Sequence, residues 1–528
     1  MKTAVHEPRS GGVLLMTLST LAALTLLAAF TLQRVSPKFQ AAHQAAAWQE
    51  ARLAAEAGVD AALGDLLKNA TGPTPGTWPG WKQENGAPAG SLLSDLLNPL
   101  TNILNALLGG GGSGTAATSP SGPIFLDNVN ISAAGGTLTE VDVQLWALRP
   151  TDSRRYWFRI RSMATCGLPP AAYKTAEKLD VPLRRLSLRQ LRPQLQKDDV
   201  GDPMGVPAPS ASRVVEVLVE PILPFELALW TDRSLSLGTS GTWGVDSYDS
   251  RDPQKSAPAG TYPGRTSPKI QENGSVASNR GRPAESLYGS LISANGARVR
   301  GVVATNGGDD PATGDHENVA GAIALNPARV RDDFFREMKP LARPSTAAAW
   351  EPPIFGLPFV SGPDSAPTQY LVTGNLESLS IDARPTTTRR AVIIMVNGDL
   401  NIRENVTVPP NVTVVIYVRG NIDFHDHAIN TDADSSNRPG QLQIYGEDSG
   451  RDFRTLRANG SAAISAAFYG PTYEVLLSDN VDWCGSIASR SFEMLGGGTG
   501  GLHYDEALGV VGPPISFRIA RYIEDVRE

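Results

Sequence analysis

The 528-residue chain has 41% hydrophobic and 19% charged residues, enough apolar material to bury a core, and its length suits about one to four domains. A net charge of -7 excludes a global basic field for holding nucleic acid or anionic lipid. The two cysteines, Cys166 and Cys484, exclude a disulfide-dense scaffold and a thiolate metal site, and leave both a single disulfide and two free thiols open.

Residues 1–10 read as a short leader. From Gly11 to Gln33 no charged residue occurs, with Arg9 before the run and Arg34 after it. About 20 apolar residues span a bilayer core as a helix. The run is longer than the apolar stretch of a cleavable signal peptide, so 11–33 is expected to be a retained single-pass anchor. Residues 34–68 are rich in Ala, Leu, Glu and Arg, strong helix formers, and are expected to continue the anchor as a helical stalk interrupted near Pro37. Ala47, Ala51, Ala54, Gly58 and Ala61 recur at spacings of three or four. Such a stripe of small residues permits close helix approach, and packing beside copies of itself is the reading it invites.

Residues 69–124 have the Pro, Gly, Ser and Thr content of a linker. Within it, the leucines of 91–108 keep a helical period and predict an amphipathic helix, started by Ser91 and stopped by the glycines after Leu108. Lacking Lys and Arg, it is expected to dock on the protein's own surface. Residues 125–212 hold strand-like runs, clearest over Thr137–Leu148 and Tyr156–Met163, and predict a small α+β module. Arg161, Arg184, Arg185 and Arg189 gather without aromatic neighbours and read as a solvated face.

From 213 to 528 short strands alternate with Gly and Asn, around a long loop at about 250–285. Related phrases start at Gly374, Gly398 and Gly420, with an echo at Asp479. This near-regular recurrence, with apolar runs at Ala391–Val396 and Val412–Val418, predicts a repeat architecture. A right-handed parallel β-helix accounts for it, each coil stacking its apolar strand on the one before. A β-sandwich with the same turns is the competitor. The fold class expected is therefore mainly β, with a long N-terminal transmembrane helix, a small α+β module and a C-terminal β-helix.

The Gly11-Gly12 pair, the apolar run and the Ala54–Leu63 segment resemble the N-terminal region of PilX-type pilus-assembly proteins, relatives of type IV minor pilins and pseudopilins. The resemblance continues in Phe225–Trp230, Val245–Ser250, Asn295–Gly301, Ala467–Thr472, Cys484–Ala488 and Leu502–Leu508. It implies a first helix that anchors the subunit and can enter a helical pilus core, a pilin-like module, and a β-helical ectodomain. The chain departs from the major-pilin pattern at Thr17, which would be the fifth residue after cleavage behind Gly12, where major pilins carry Glu.

Signals for chemistry are weak. His425 and His427 share one side of a strand near Asp432 and Asp434, but a catalytic zinc takes three protein ligands, and a turn with ordinary histidines is the expectation. Counted as a calcium loop from Asp432, Gly is absent at the sixth position and Glu at the twelfth, which hold Asn437 and Gln443. Asp309, Asp310 and His316 resemble a polygalacturonase only in the carboxylate pair. Gly496–Gly501 lacks the Lys and Ser/Thr of a phosphate loop. His503, beside Asp505, reads as closing the last coil. No catalytic, metal-binding or cofactor-binding residue is therefore assigned, and no cofactor is expected.

The function expected is that of a non-enzymatic, membrane-anchored pilus-assembly protein in the inner membrane, its ectodomain periplasmic or at the cell surface. Its partners would be the membrane and other pilin-like or secretion-machinery subunits, without nucleic acid or a small-molecule substrate. The alternatives are a membrane-tethered polysaccharide-binding or polysaccharide-degrading β-helix, and a bactofilin-like polymer, against which the charges of Arg518–Glu528 argue by capping an end.

Overall fold

The computed structural model describes residues 11–71, 81–83, 124–126, 131–132, 138–148, 157–167, 210–237, 243–280, 292–293, 297–306, 319–320, 329–344, 358–363, 367–382, 389–431, 438–448, 450, 453–495 and 499–524. The expected leader over 1–10 and the amphipathic helix over 91–108 lie outside these residues. The described chain is mainly β, with one long helix at its start.

Helix α1 runs without a break from Gly11 to Thr71. It passes through position 37, where an interruption was expected. Proline deletes one backbone hydrogen bond, and here the strong helix formers on either side carry the helix across that gap. From Ala47 onward α1 buries one face: Ala47, Ala51, Ala54, Ala55, Val59, Ala62 and Leu66 are each at most 5% exposed. Gly58 is buried with them, whereas Ala61 is exposed and Ala62 takes its place. The small-residue stripe is therefore covered by the protein's own sheet, not left free for copies of the helix.

That sheet is antiparallel. Strands β1 (Trp81–Gln83), β2 (Ile124–Leu126), β3 (Ile131–Ser132), β4 (Leu138–Leu148), β5 (Trp157–Gly167) and β6 (Ser210–Ile222) belong to it, in the order β1-β2-β4-β5-β6, with β3 beside β4. Alternation sets its faces. Val141, Val143 and Leu145, Phe158, Ile160 and Ala164, and Val215, Val217 and Val219 all turn to α1. The strand expectations at 137–148 and 156–163 fall on β4 and β5.

The sheet ends on a strand from the far end of the chain. Ser516–Glu524 pairs antiparallel with β6, Ser516 opposite Ile222 and Glu524 opposite Val215. The boundary expected at 212/213 is corrected on both sides. Residues 213–222 complete β6, and 516–524 belong to the helix-backed sheet instead of capping an end of the body. The reason is backbone pairing: β6 is fixed against α1 by Val215, Val217 and Val219, and its free edge would otherwise present a row of unpaired N–H and C=O groups. Everything between Ile222 and Ser516 is thus inserted between two adjacent strands.

The inserted body is built of short strands in parallel register. Val330, Val303, Val276, Leu229, Ile487, Phe468, Ile444, Ile416, Ile394 and Tyr370 stand in one file, each paired with the next. All but the last are buried. The file does not follow chain order. The first strands run outward from Leu229 to Val330, the later ones return from Tyr370 to Ile487, and the two halves meet where Leu229–Thr231 lies on Ile487–Ser489. The same seam joins Leu235–Ser236 to Phe492–Glu493 and Gly244–Tyr248 to Gly501–Asp505.

A strap ties the halves together along the stack. After Arg331 the chain leaves the strands and runs without regular secondary structure over 334–344. Phe334 N–H donates to the Thr305 carbonyl at 2.9 Å. Arg336 is clasped by the buried Asn279, whose Oδ1 accepts Arg336 N–H at 2.8 Å and whose Nδ2 donates to its carbonyl at 2.5 Å. Arg336 also pairs with Glu226 at 2.8 Å. Farther on, Tyr469 Oη donates to the Lys339 carbonyl at 2.7 Å, and Arg343 Nη1 to Asn397 Oδ1 at 3.1 Å.

Candidate functional site

The first candidate is the bare half of α1. Leu15–Val35 is long and apolar enough to cross a membrane, and none of it is buried. At about 1.5 Å per residue its 21 residues span about 31 Å, the thickness of a bilayer core. Four of its hydroxyls are satisfied within the helix. Ser19 and Thr20 donate to the Met16 carbonyl, Thr25 to Leu21 and Thr31 to Leu27, at 2.8–3.0 Å. A hydroxyl that returns its proton to its own helix exposes no unmet donor to hydrocarbon.

The other half of α1 is fastened to the sheet by more than packing. Trp81 Nε1 donates to Asp65 at 3.0 Å, and Tyr522 Oη to Glu56 at 2.8 Å. Arg52 pairs with Glu524 at 2.7 Å. Where the helix leaves the sheet, Trp48, Arg52, Arg213, Val215 and Glu524 line a shallow groove, with the Arg213 guanidinium 5.1 Å from the Trp48 ring. Cys166 is buried under α1 beside Ala47, Ala51 and Ala211. Cys484 lies in the inserted body, and the two cysteines are not joined in a disulfide.

The second candidate is a buried polar cluster at the seam. His503 is 1% exposed and sits between two carboxylates, with Nδ1 2.7 Å from Asp246 Oδ1 and Nε2 2.9 Å from Asp482 Oδ1. Asp246 comes from the outward half of the stack and Asp482 from the returning half, so the imidazole bridges the two. The 249–271 loop closes over it. Tyr262 stacks on the ring at 3.7 Å and 20° and donates its hydroxyl to Asp246 Oδ2 at 2.8 Å. Arg265 reaches Asp482 at 3.3 Å. Gly501 leaves the room this needs, since a Cβ there would stand 2.7 Å from Arg265 Nη2 and 3.0 Å from His503 Cε1.

Burial would lower the His503 pKa, but the hydrogen bonds to Asp246 and Asp482 outweigh it and hold the imidazolium above its usual value. Burial would raise Asp482, yet the hydrogen bond and charge of His503 bring it below the usual carboxylate range. Next to them, Asp505 is fully enclosed and pushed up to about 6 by desolvation, against the hydrogen bonds it accepts from Ser250 and Ala507. Burial drives the Cys484 thiol well up, helped by the charges of Asp482 and Asp246. With both ring nitrogens committed to carboxylates and the neighbouring thiol held protonated, the cluster is arranged to hold a charge.

The residues weighed from sequence do not converge. His425 is half-exposed, 3.8 Å from Asp423, and its carbonyl accepts the His427 N–H in a bend. Asp426 instead caps the Ser461 N–H. Asp432, Asp434, Asn437, Asp309, Asp310, His316, Arg184, Arg185 and Arg189 lie outside the described residues. Among the described residues no group of three or more His, Cys, Asp and Glu is placed to hold a metal. Sequence reasoning noticed His503 beside Asp505 and read it as closing the last coil, without naming its partners. Its real partners stand 257 and 21 residues away, a separation that carries no local pattern.

A family model described as a domain of unknown function (DUF7305) matches residues 367–511, the returning half of the stack through the His503 strand. No curated protein matches the chain. Among solved structures, the chain is similar to the competence-associated pilin ComZ from Thermus thermophilus at 9% identity and a TM-score of 0.29, over 76% of this chain and 86% of that one. A superposition of that size carries no argument about fold or function.

Proposed function

We propose that this chain is a membrane-anchored, non-enzymatic structural subunit of the PilX-type, pilin-like class, holding a right-handed β-helical body outside the cytoplasm. One observation carries the reading: a single helix whose first half, Leu15–Val35, is bare and apolar while its second half is buried on an antiparallel sheet. An isolated apolar helix of that length has no reason to stay in water. The parallel register of the inserted strands, stepping by 22 residues from Gly398 to Gly420, supports a β-helix. The N-terminal residues that resemble PilX-type proteins point to a pilus or secretion assembly, with the membrane and other pilin-like subunits as partners and the inner membrane as location.

Fractionation of cells carrying a C-terminally tagged chain tests this. The chain is expected in the inner membrane or in sheared surface filaments, with the tag open to protease in spheroplasts. An N-terminus at Gly12 or Val13 by mass spectrometry is the mark of prepilin processing. A tagged chain that stays in the cytosolic supernatant ends the proposal.

A further inference from the structure

We infer that the Thr368–Val372 strand, which ends the returning half of the stack, is an open edge that pairs antiparallel with the same strand of a second copy of this chain. One edge of the strand is filled, residue against residue, by Val392–Val396. The Val372 carbonyl accepts Asn397 N–H at 2.9 Å, so Val372, Tyr370 and Thr368 turn their backbone groups to that neighbour. Successive residues of a strand point their N–H and C=O to opposite sides. Gln369 and Leu371 therefore direct theirs to the other side, where no strand among the described residues lies.

The polar side chains at the corner stop at the same edge. In the inner coils the coil before supplies an acceptor: Asn375 Oδ1 meets Asp399 N–H, and Asp399 Oδ1 meets Asn421 N–H. Asn375 is exposed and begins the series, so among the described residues its own N–H has no such acceptor. A Cβ on Gly374 would meet nothing within 4 Å, whereas one on Gly398 would stand 2.7 Å from the Gly374 carbonyl. The interior of this end is closed. Phe359 is 2% exposed, bridges Ile381 and sets its ring edge-on to Tyr370 at 5.1 Å. The end thus has room for a strand beside it, not for another coil upon its core.

Charge chooses the partner. From Pro367 to Leu376 no residue is charged. Between Thr368 and Val372 there is no proline and no break in register, so the devices that guard a natural edge are missing. The opposite end of the stack is guarded: its strand is only Val330–Arg331, set among Arg329, Asp332 and Asp333. An uncharged edge matches itself better than it matches that end. The contact is therefore isologous, with a two-fold axis, and closes at a dimer. Main-chain hydrogen bonds supply its affinity. It involves no part of α1 and does not depend on the anchor.

Light scattering of the full chain in detergent, with protein mass resolved from detergent mass, tests this, and a dimer is expected. Gln369→Pro removes one outward N–H from each copy and no bond to Val392–Val396, since proline is tolerated where its nitrogen faces away from the ladder. It is expected to weaken dimerisation by at least about ten-fold, from two hydrogen bonds worth roughly five-fold each. Gln369→Ala is expected to dimerise like the wild type. Hydrogen–deuterium exchange of the wild type gives a second reading: peptides covering 368–376 are expected to gain protection as the chain is concentrated from about 0.5 to about 50 µM, and peptides covering 329–333 are not. A monomer at the higher concentration, a dimer that Gln369→Pro leaves intact or that Gln369→Ala breaks as readily, or protection over 368–376 that ignores concentration overturns the inference, the last even where Gln369→Pro fails to fold.

Discussion

Asp399 Oδ1 accepts the backbone N–H of Asn421 at 2.7 Å, one repeat later in the chain. Asn375 does the same for Asp399 at 2.8 Å, and Asn421 for Thr455 at 3.0 Å, so a ladder of short polar side chains climbs one corner of the stack. The glycines before the second and third rungs, Gly398 and Gly420, are required by closeness, whereas a Cβ on Gly374 would meet nothing within 4 Å. Gly420 N–H bonds the Gly398 carbonyl at 2.9 Å, and a Cβ on Gly420 would overlap that carbonyl. Gly420→Ala is expected to destabilise the body by about 1–3 kcal/mol, and Asp399→Ala by about 1 kcal/mol. Asp399→Asn, which keeps the acceptor, is expected to be nearly neutral. Urea unfolding followed by tryptophan fluorescence checks all three.

Two glycines of α1 should respond in opposite directions. A Cβ on Gly58 would meet Ser162 Oγ and come within 2.8 Å of Val141 Cγ1, whereas one on Gly64 meets nothing within 4 Å. Gly58→Ala is expected to cost about 1–3 kcal/mol by prising helix from sheet. Gly64→Ala is expected to gain up to about 1 kcal/mol from helix propensity. Thermal melting of the two variants side by side reads the difference.

The strap depends on Asn279, whose amide answers both the N–H and the carbonyl of Arg336. Asn279→Ala leaves two backbone groups without these partners, at about 1–3 kcal/mol. Trypsin is expected to cut after Arg336 faster in that variant than in the wild type. Equal cleavage would mean that the strap is held by its other contacts.

Asp505 gives a pH effect. Its carboxyl is raised from 3.8 to about 6, so the folded chain binds this proton more tightly than the unfolded one, and stability falls as pH rises between those values. Asp505→Asn is expected to remove that fall and to be more stable above pH 6 by about 1–3 kcal/mol. Melting temperatures at pH 4 and pH 7 measure it, with the variants converging at the lower pH.

What the sequence made legible was local. The Gly-Asn and Gly-Asp phrases at 374, 398 and 420 carry their own turn chemistry, and they sit in neighbouring positions of the stack because each bonds the next. The alternation in β4 and β5 and the apolar run of α1 are equally short-range signals. The seam was not legible, since Leu229 and Ile487 are ordinary apolar residues and nothing near either names the other. The Ser516–Glu524 strand was missed for a related reason: its arginines looked like a cap until β6 was seen to need an edge partner. The His503 bridge is the extreme case, three side chains from three distant segments.

The insertion of 223–515 between two neighbouring strands also sets an order of events. While the chain emerges, α1 and the strands up to β6 can assemble only an incomplete sheet, whose outer edge waits for nearly three hundred residues to appear. Ser516–Glu524 arrives last and shuts that edge, and the tie from Arg52 to Glu524 forms in the same step. A chain truncated before residue 516 would thus leave its helix-backed sheet ajar, however well the inserted body had folded.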